Sequence, residues 1–540
     1  PLAVNKIWGL TPNSGVIAAS IAAAAARAGI QTLVFSQSIP NAVSISDQTT
    51  AALGECEIEL TETERALFDI AADELGDANQ LYLTLKEGKL AARAATHHGR
   101  LLPQERQLVE SLYKRSDALS VIAATPTLGQ GINLPAELVI IAEDSQYNPG
   151  AGRRSILDAD DLLNAAGRAG RVGESATGIV LVIPGRVVGL DDTENKIGSR
   201  WSHLRDIFGQ ADQCLVLDDP FTALMDRIHD QTSDIGDLEK YVVARLAETN
   251  EEEDGTQDVR LSLGRSFAAF RKRQAHDDGW VTSRTASALA LLNGEQDESA
   301  IERQPFRDLA SMLGMPEDVL AALANDVIET GLTANKNISD WCNWLFRWLQ
   351  QHPDEMFRLL KIDNIEHLLG QGFKKLETNT ERASFALPLL EAALGKWMSG
   401  ASLLEIQGTL SNKTRDIKRS TSARKFVIRI VPDLAHVLAA PHQIFLRIVN
   451  AQKDNPSESR PGLAYLHLCI RRGYSGAEMA TYAMRNRRAK WARRETHRRY
   501  SDIAPYLEPA PAEETLAMLE ARVEAAANAE LVNRAGFDLL

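Results

Sequence analysis

Residues 118–142 read ALSVIAATPTLGQGINLPAELVIIA. Two apolar runs, 118–125 and 137–142, enclose a loop of threonine, glycine, asparagine and proline. Continuous apolar runs fit parallel strands buried on both faces. Outward from here the signal recurs in QTLVFS (31–36) and TGIVLVI (177–183), and ARAATHH (92–98) reads as a strand leading into a loop. Helical patterns lie between them. NSGVIAASIAAAAARAG ends at Gly29, and TETERALFDIAADEL opens with a capping box, Thr61 and Glu64. PQERQLVESLYKR has Pro103 at its start and Leu108, Val109 and Leu112 on one face. The alternation predicts a doubly wound α/β domain over residues 1–190.

Beyond it the strand signals fade, so the expected class is α/β followed by all-α. Residues 191–280 read as a small helical module with a solvated acidic loop, ETNEEEDGTQD (248–258). Residues 281–455 are helical, and their Trp341, Trp344, Phe346 and Trp348 recur at the spacing of a core face. Residues 456–540 are helical and basic. At 540 residues the chain has room for three or four cores, and 44% hydrophobic with 24% charged residues is ordinary globular composition. A net charge of −14 repels polyanions overall, so nucleic-acid binding requires local basic tracks. The four cysteines form no CxxC pair, which argues for a reducing, cytoplasmic compartment and against a zinc site. The longest apolar run, near residues 16–30, contains Arg27 and is too weak to span a bilayer, and no signal peptide is legible.

The chemistry concentrates in loops. Open parallel sheets bind ligands at the carboxyl ends of their strands. Here those loops read VFSQS (34–38), THHGRLLPQER (96–106) and ATPTLGQGINLPA (124–136). A further element, NAAGRAGR (164–171), sets Arg168 and Arg171 three apart on a turn loosened by Gly167 and Gly170. A planar, permanently charged guanidinium fork suits phosphate oxygens. The bland alternatives are an exposed turn pairing with Asp160 or Asp161, and glycines and prolines serving as punctuation.

In order and placement, ATPTLGQGINLPA and NAAGRAGR resemble motifs V and VI of superfamily 2 helicases. With HHG upstream and Asn-Leu-Pro in motif V, the form is similar to the Ski-like branch of DExH helicases. The resemblance covers residues 30–185, a second RecA-like domain. It implies a winged-helix-like module at 191–280, a helical ratchet-like domain at 281–455, and an ATP-dependent helicase activity. It implies that Arg171 is the finger on the γ-phosphate with Arg168 beside it, and that Gly131, Asn133 and Gly167 line the nucleotide. Thr125, Thr127, Ser36, Ser38 and His98 match positions that touch the strand backbone, with Gly129 allowing close approach. His97 reads as a packing residue. Glu105 and Arg106 read equally as helix-pairing or ligand-facing. The family's usual Gln at the start of motif VI is Asn164 here, which leaves a role for that residue in doubt.

No G-x-x-x-x-G-K-[ST] and no DEAD or DExH box follows a strand anywhere in the chain. The arginines are half of a site. ATP and Mg2+ are expected to be held mainly by a first RecA-like domain, upstream or on another chain. The segment 471–500 carries ten Lys/Arg against two Glu, with Tyr474, Tyr482, Trp491 and Tyr500 interleaved. A solvated face is the ordinary reading of a charge run, but here Arg487, Arg488, Arg493 and Arg494 are expected to track phosphates. SNKTRDIKRSTSARK (411–425) is a second basic stretch with the same two readings. Trp397 reads as core rather than as a base-stacking surface. DNA is favoured over RNA because no arch-like insertion is visible. Bacterial anti-phage defence helicases such as that of the Hachiman system share this layout, which would imply a nuclease-type partner subunit. The rival reading is a non-catalytic subunit that keeps a RecA-like fold as a docking platform. The paired arginines argue against it.

Overall fold

Short apolar runs separated by helices leave the chain one economical solution, a parallel sheet with crossover helices. The protein's structure is a computed structural model. It describes residues 2–5, 9–125, 134, 136–143, 145–148, 153–157, 159–170, 178–183, 220–230, 255–277, 279–293, 299–330, 336–411, 418–449, 460–485 and 492–537, with isolated positions between 202 and 246. The chain divides into two units.

The first unit holds β1 (Leu2–Asn5), β2 (Gly9–Pro12), α1 (Ser14–Arg27), β3 (Thr32–Phe35), α2 (Ile39–Leu53) and α3 (Glu62–Leu75). There follow β4 (Leu85–Lys86), β5 (Lys89–Leu90), β6 (Ala94–His97), α4 (Pro103–Lys114), β7 (Val121–Ala124) and β8 (Leu138–Ile141). A hairpin of β9 (Ser145–Asn148) and β10 (Arg153–Ile156), then α5 (Ala159–Ala166) and β11 (Ile179–Val182), complete it. Five strands form one sheet in the order β11-β8-β3-β7-β6, every neighbouring pair parallel. The alanine face of α1 is small enough to lie close on it, packing Ala18, Ala19 and Ala22 against Val34, Ala123 and Ile140.

Local signals hold where they were explicit. Thr61 accepts the Glu64 N–H while Glu64 accepts the Thr61 N–H, and α4 starts at Pro103 with Leu108, Val109 and Leu112 buried. The four residues of β3, β7 and β8 are all buried. β11 departs from the expectation of burial on both faces. It pairs only with β8 among the described residues, and its exposure alternates, leaving Ile179 (51%) and Leu181 (37%) open on one face, whereas β6 at the other edge is buried throughout.

Two distant segments, Ser402–Gln407 and Asn412–Arg424, belong to this first unit. The second unit is helical. One of its cores gathers Met225, Ile228, Val243, Val259, Leu263, Trp280 and Ala288, so the helix Trp280–Asn293 shares it. The helix Gly255–Gly264 takes in the last residues of the stretch read as an acidic loop. An acidic side chain suits a helix's first turn, where the dipole is positive. The aromatic cluster is core: Trp341, Trp344, Phe346 and Trp348 are all buried. Among the described residues no helix is long and apolar enough to cross a membrane.

Candidate nucleic-acid interface and arginine turn

The register of the sheet builds one continuous edge. Phe35 pairs with Ala124 and with Ile141, and His97 pairs with Ala124. The residues that follow, Ser36, His98, Thr125 and Ala142, therefore stand in adjacent rows. Backbone bonds extend the ladder by a step: Ser36 N–H donates to Ala124 O at 2.8 Å, Thr125 N–H to His97 O at 3.2 Å, and Ala142 N–H to Phe35 O at 2.8 Å. Three loops far apart in sequence are thus brought side by side at the carboxyl edge.

Their side chains differ in freedom. Ser36 and Thr125 are buried at the base of their loops. Ser38 caps α2, its hydroxyl accepting the Asn41 N–H at 3.3 Å. His98 is 1% exposed. Burial, and then the charges of Arg424 and Arg100, push its imidazole down to about 3. It is therefore neutral near pH 7. Its Nδ1 accepts the Arg100 N–H at 3.2 Å, which places the proton on Nε2. That Nε2 has no hydrogen-bond partner among the described residues. His97 is a packing residue, its Nε2 3.1 Å from Glu110 Oε1. Thr127, Gly129, Gly131 and Asn133 lie outside the described residues.

The arginine turn sits at the other end of the strands. α5 buries Leu162 and Ala165, leaves Asn164 exposed, and ends at Gly167, whose N–H reaches Leu163 O at 2.8 Å. The chain then docks on the residue before β8. Ala136 N–H donates to Arg168 O at 3.3 Å, and Gly170 N–H donates to Ala136 O at 2.9 Å. Gly170 has φ +66°, the left-handed region that favours glycine. Gly178, just before β11, lies against the backbone of Ala169 and Gly170, closer than any Cβ would allow. The motif pattern points to Gly167 and Gly170 and passes over Gly178, although it precedes an apolar run, a place where close backbone approach is common. Arg168 is half-buried, and Arg171 lies outside the described residues. Four-residue strands, roughly 13 Å long, separate this turn from the Ser36–Thr125 edge.

Residues 27–173 match the helicase conserved C-terminal domain. The relatives carry the same word. The chain is 40% identical over 90 residues to the ATP-dependent DNA helicase homolog MER3 of Arabidopsis thaliana, covering 17% of this chain and 8% of that protein. It is 40% identical over 98 residues to the ATP-dependent DNA helicase Hel308 of Aeropyrum pernix, covering 18% and 13%. The Hel308 of Caldivirga maquilingensis is 31% identical over 157 residues, covering 29% and 20%. The chain thus spans a fifth or less of these relatives' lengths.

Behind the carboxyl edge of this sheet lies a feature that sequence did not reveal. Arg424, from the second basic stretch, is fully buried and forms an ion pair with Glu105. Its Nη2 donates to Glu105 Oε1 at 2.9 Å and to Gln80 O at 3.1 Å, its Nη1 to Arg100 O at 3.2 Å, and its Nε to Arg419 O at 2.8 Å. Arg424 and Arg419 stand over the ring of Tyr82, at 5.2 and 5.1 Å from its centroid. That ring and the His98 ring stand nearly perpendicular, at 83°, with their centroids 4.6 Å apart. Glu105 also accepts the Leu102 N–H at 2.9 Å. Of the two readings of Glu105, the pairing one holds, but its partner is 319 residues away and not on its own helix.

The basic tail needs a correction. Arg493 is buried in the second unit and bonds to the carbonyls of Trp397 and Ala401. Its guanidinium lies 4.1 Å from the centre of the Trp397 ring. Trp397 is core, its Nε1 donating to Ile470 O at 2.9 Å. Arg494 is half-buried, with Nε 3.2 Å from Gly400 O. Arg493 is therefore a packing residue, because its donors are consumed inside the fold. Arg487 and Arg488 lie outside the described residues. Among the described residues, no group of three or more His, Cys, Asp or Glu could hold a metal ion.

Proposed function

We propose that this chain is the C-terminal portion of an ATP-dependent nucleic-acid helicase or translocase. The observation that carries the reading is the separation of two elements within one helicase domain. Ser36, His98 and Thr125 line the carboxyl edge of the sheet, while the turn bearing Arg168 sits at its amino edge. A strand follows the first edge along the loops of Ser36, Ser38, His98, Thr125 and Thr127. His98, buried and neutral, holds its loop by accepting the Arg100 N–H and does not itself reach the strand. Arg171 and Arg168 neutralise the γ-phosphate from one side, with Gly131, Asn133 and Gly167 beside the nucleotide. The Lys and the Mg2+ ligands belong to a first RecA-like domain, upstream or on another chain. Residues 191–280 are the winged-helix-like module, 281–455 the ratchet-like domain and 456–540 the basic C-terminal region. DNA as the strand, a nuclease-type partner subunit, a cytoplasmic setting and an anti-phage role are carried by the resemblance of the motifs.

The test joins the chain to its first RecA-like domain. That assembly should hydrolyse ATP in response to a strand, and Arg171→Ala should lower turnover by roughly a thousandfold or more. Strand affinity without nucleotide should survive, because the two elements occupy opposite edges. Full hydrolysis by the Arg171→Ala assembly would reduce the turn to a connector.

A further inference from the structure

The helix Phe267–Gln274 turns its small residues inward and its rings outward. Ala268 and Ala269 are fully buried in the core around Met225, Leu263 and Trp280. Phe267 and Phe270, one turn apart, are 53% and 50% exposed. Their rings lie 6.2 Å apart and 24° from parallel. Ser266 fixes the helix in this rotation, its hydroxyl accepting the Ala269 N–H at 3.1 Å and donating to Leu263 O at 2.6 Å. Two large rings left in water beside buried alanines add little to this core.

The segment that carries the rings is one-sided in charge between Asp258 and Asp277. From Val259 to Ala275 the sequence carries Arg260, Arg265, Arg271, Lys272 and Arg273 and no carboxylate, in a chain of net charge −14. The four arginines are exposed, though Arg273 turns its Nε to Ala269 O at 3.3 Å and its Nη2 to Gly264 O at 3.2 Å, which leaves Arg260, Arg265 and Arg271 as the outward ones. Lys272 instead reaches back toward the fold, 5.9 Å from the centre of the Trp280 ring and 3.9 Å from Asp226. Exposed aromatic faces ringed by cations are what an unpaired strand requires. Every base has a face that stacks, and each intervening phosphate seeks a cation. Asp258 and Asp277 flank the stretch, but between them every charge is positive, which favours a polyanion.

We infer that Phe267 and Phe270 form a base-stacking platform for single-stranded nucleic acid, with the exposed arginines around them meeting its phosphates. The inference rests on the proposed strand-handling function and adds a contact that none of the helicase motifs supplies. It is tested on the full chain by fluorescence anisotropy with labelled oligothymidylate and, in parallel, oligouridylate. Phe267→Ala/Phe270→Ala should weaken binding about tenfold or more and leave the salt dependence unchanged. Arg265→Gln/Arg271→Gln should lower the log–log salt slope by about 0.7 for each phosphate that is no longer neutralised. Phe270→Trp should keep the affinity, and its emission should be quenched as the strand is added. A ring with a purely structural role would give no such quenching. Weaker binding of either oligomer supports the platform, and the ratio of the two effects tells DNA from RNA. Unchanged affinity in the double-alanine variant, with the wild type binding normally, overturns it. Unchanged strand affinity with impaired association to the first RecA-like domain overturns it too, and makes the rings a protein seat. Absence of binding by the wild-type chain would sink the proposed function itself, a different failure.

Discussion

Arg424 is a cation without water. Its guanidinium is held by Glu105 and by the carbonyls of Gln80, Arg100 and Arg419, with the Tyr82 ring below. Desolvating both charges is costly, and only this complete set of partners offsets it. Removing one partner leaves the other charge buried and uncompensated. Arg424→Met should therefore destabilise the fold by about 3–5 kcal/mol in urea titrations, and adding Glu105→Gln should recover part of the loss. A midpoint unmoved by Arg424→Met would count against the pair. The same cluster bears on His98, because Arg424 is one of the charges that keep its imidazole neutral. Arg493 follows the same logic on Trp397, which is why a basic run on paper is partly an interior one in space.

At the scale of elements, the arginine turn is positioned by contact with strands and not by its own helix alone. Ala136 grips it through two backbone bonds, and Gly178 lets it lie flat against the start of β11. A methyl group at position 178 would collide with the main chain of Ala169 and Gly170, which cannot rotate away. Gly178→Ala should therefore shift the turn while leaving the sheet, whose core is elsewhere, intact. Displacements of about 1 Å near a reacting group cost about a hundredfold in rate. The expected result is near-normal melting with hydrolysis by the joined assembly reduced about that much. Wild-type turnover in the variant would show that the close approach does not position the arginines. β11 shows the limit of pattern reading at this scale. Its apolar run predicts burial on both faces, yet Ile179 and Leu181 leave one face open, and which face is covered is not written in the run itself.

At the scale of the molecule, the chain divides into a unit that includes the stretch matching the helicase conserved C-terminal domain and a larger helical unit, with a net charge of −14. It carries no glycine-lysine phosphate loop. On its own it should bind ATP weakly and show no strand-stimulated hydrolysis. Phosphate release assays with and without single strand check this, and robust activity in the isolated chain would reveal a phosphate site that the sequence conceals. Its strand affinity should nonetheless be measurable and fall steeply with salt, since local cations act against an acidic whole.

Sequence alone determined the layers of the first unit and the loops at its strand ends. Apolar runs of strand length, a capping box at Thr61–Glu64 and Pro103 at the head of α4 are local signals, and local signals survive into the fold because backbone bonding and side-chain burial act over a few residues. The loops carrying Ser36, His98 and Thr125 were legible for the same reason. The tertiary structure alone decided their register along one edge, the seating of the arginine turn at the opposite edge, and the need for glycine at 178. It alone paired Glu105 with Arg424, turned Arg493 inward and left Phe267 and Phe270 outside. Each of these depends on which distant backbone or charge comes within a few ångströms, and the periodicity of a sequence carries no record of that distance.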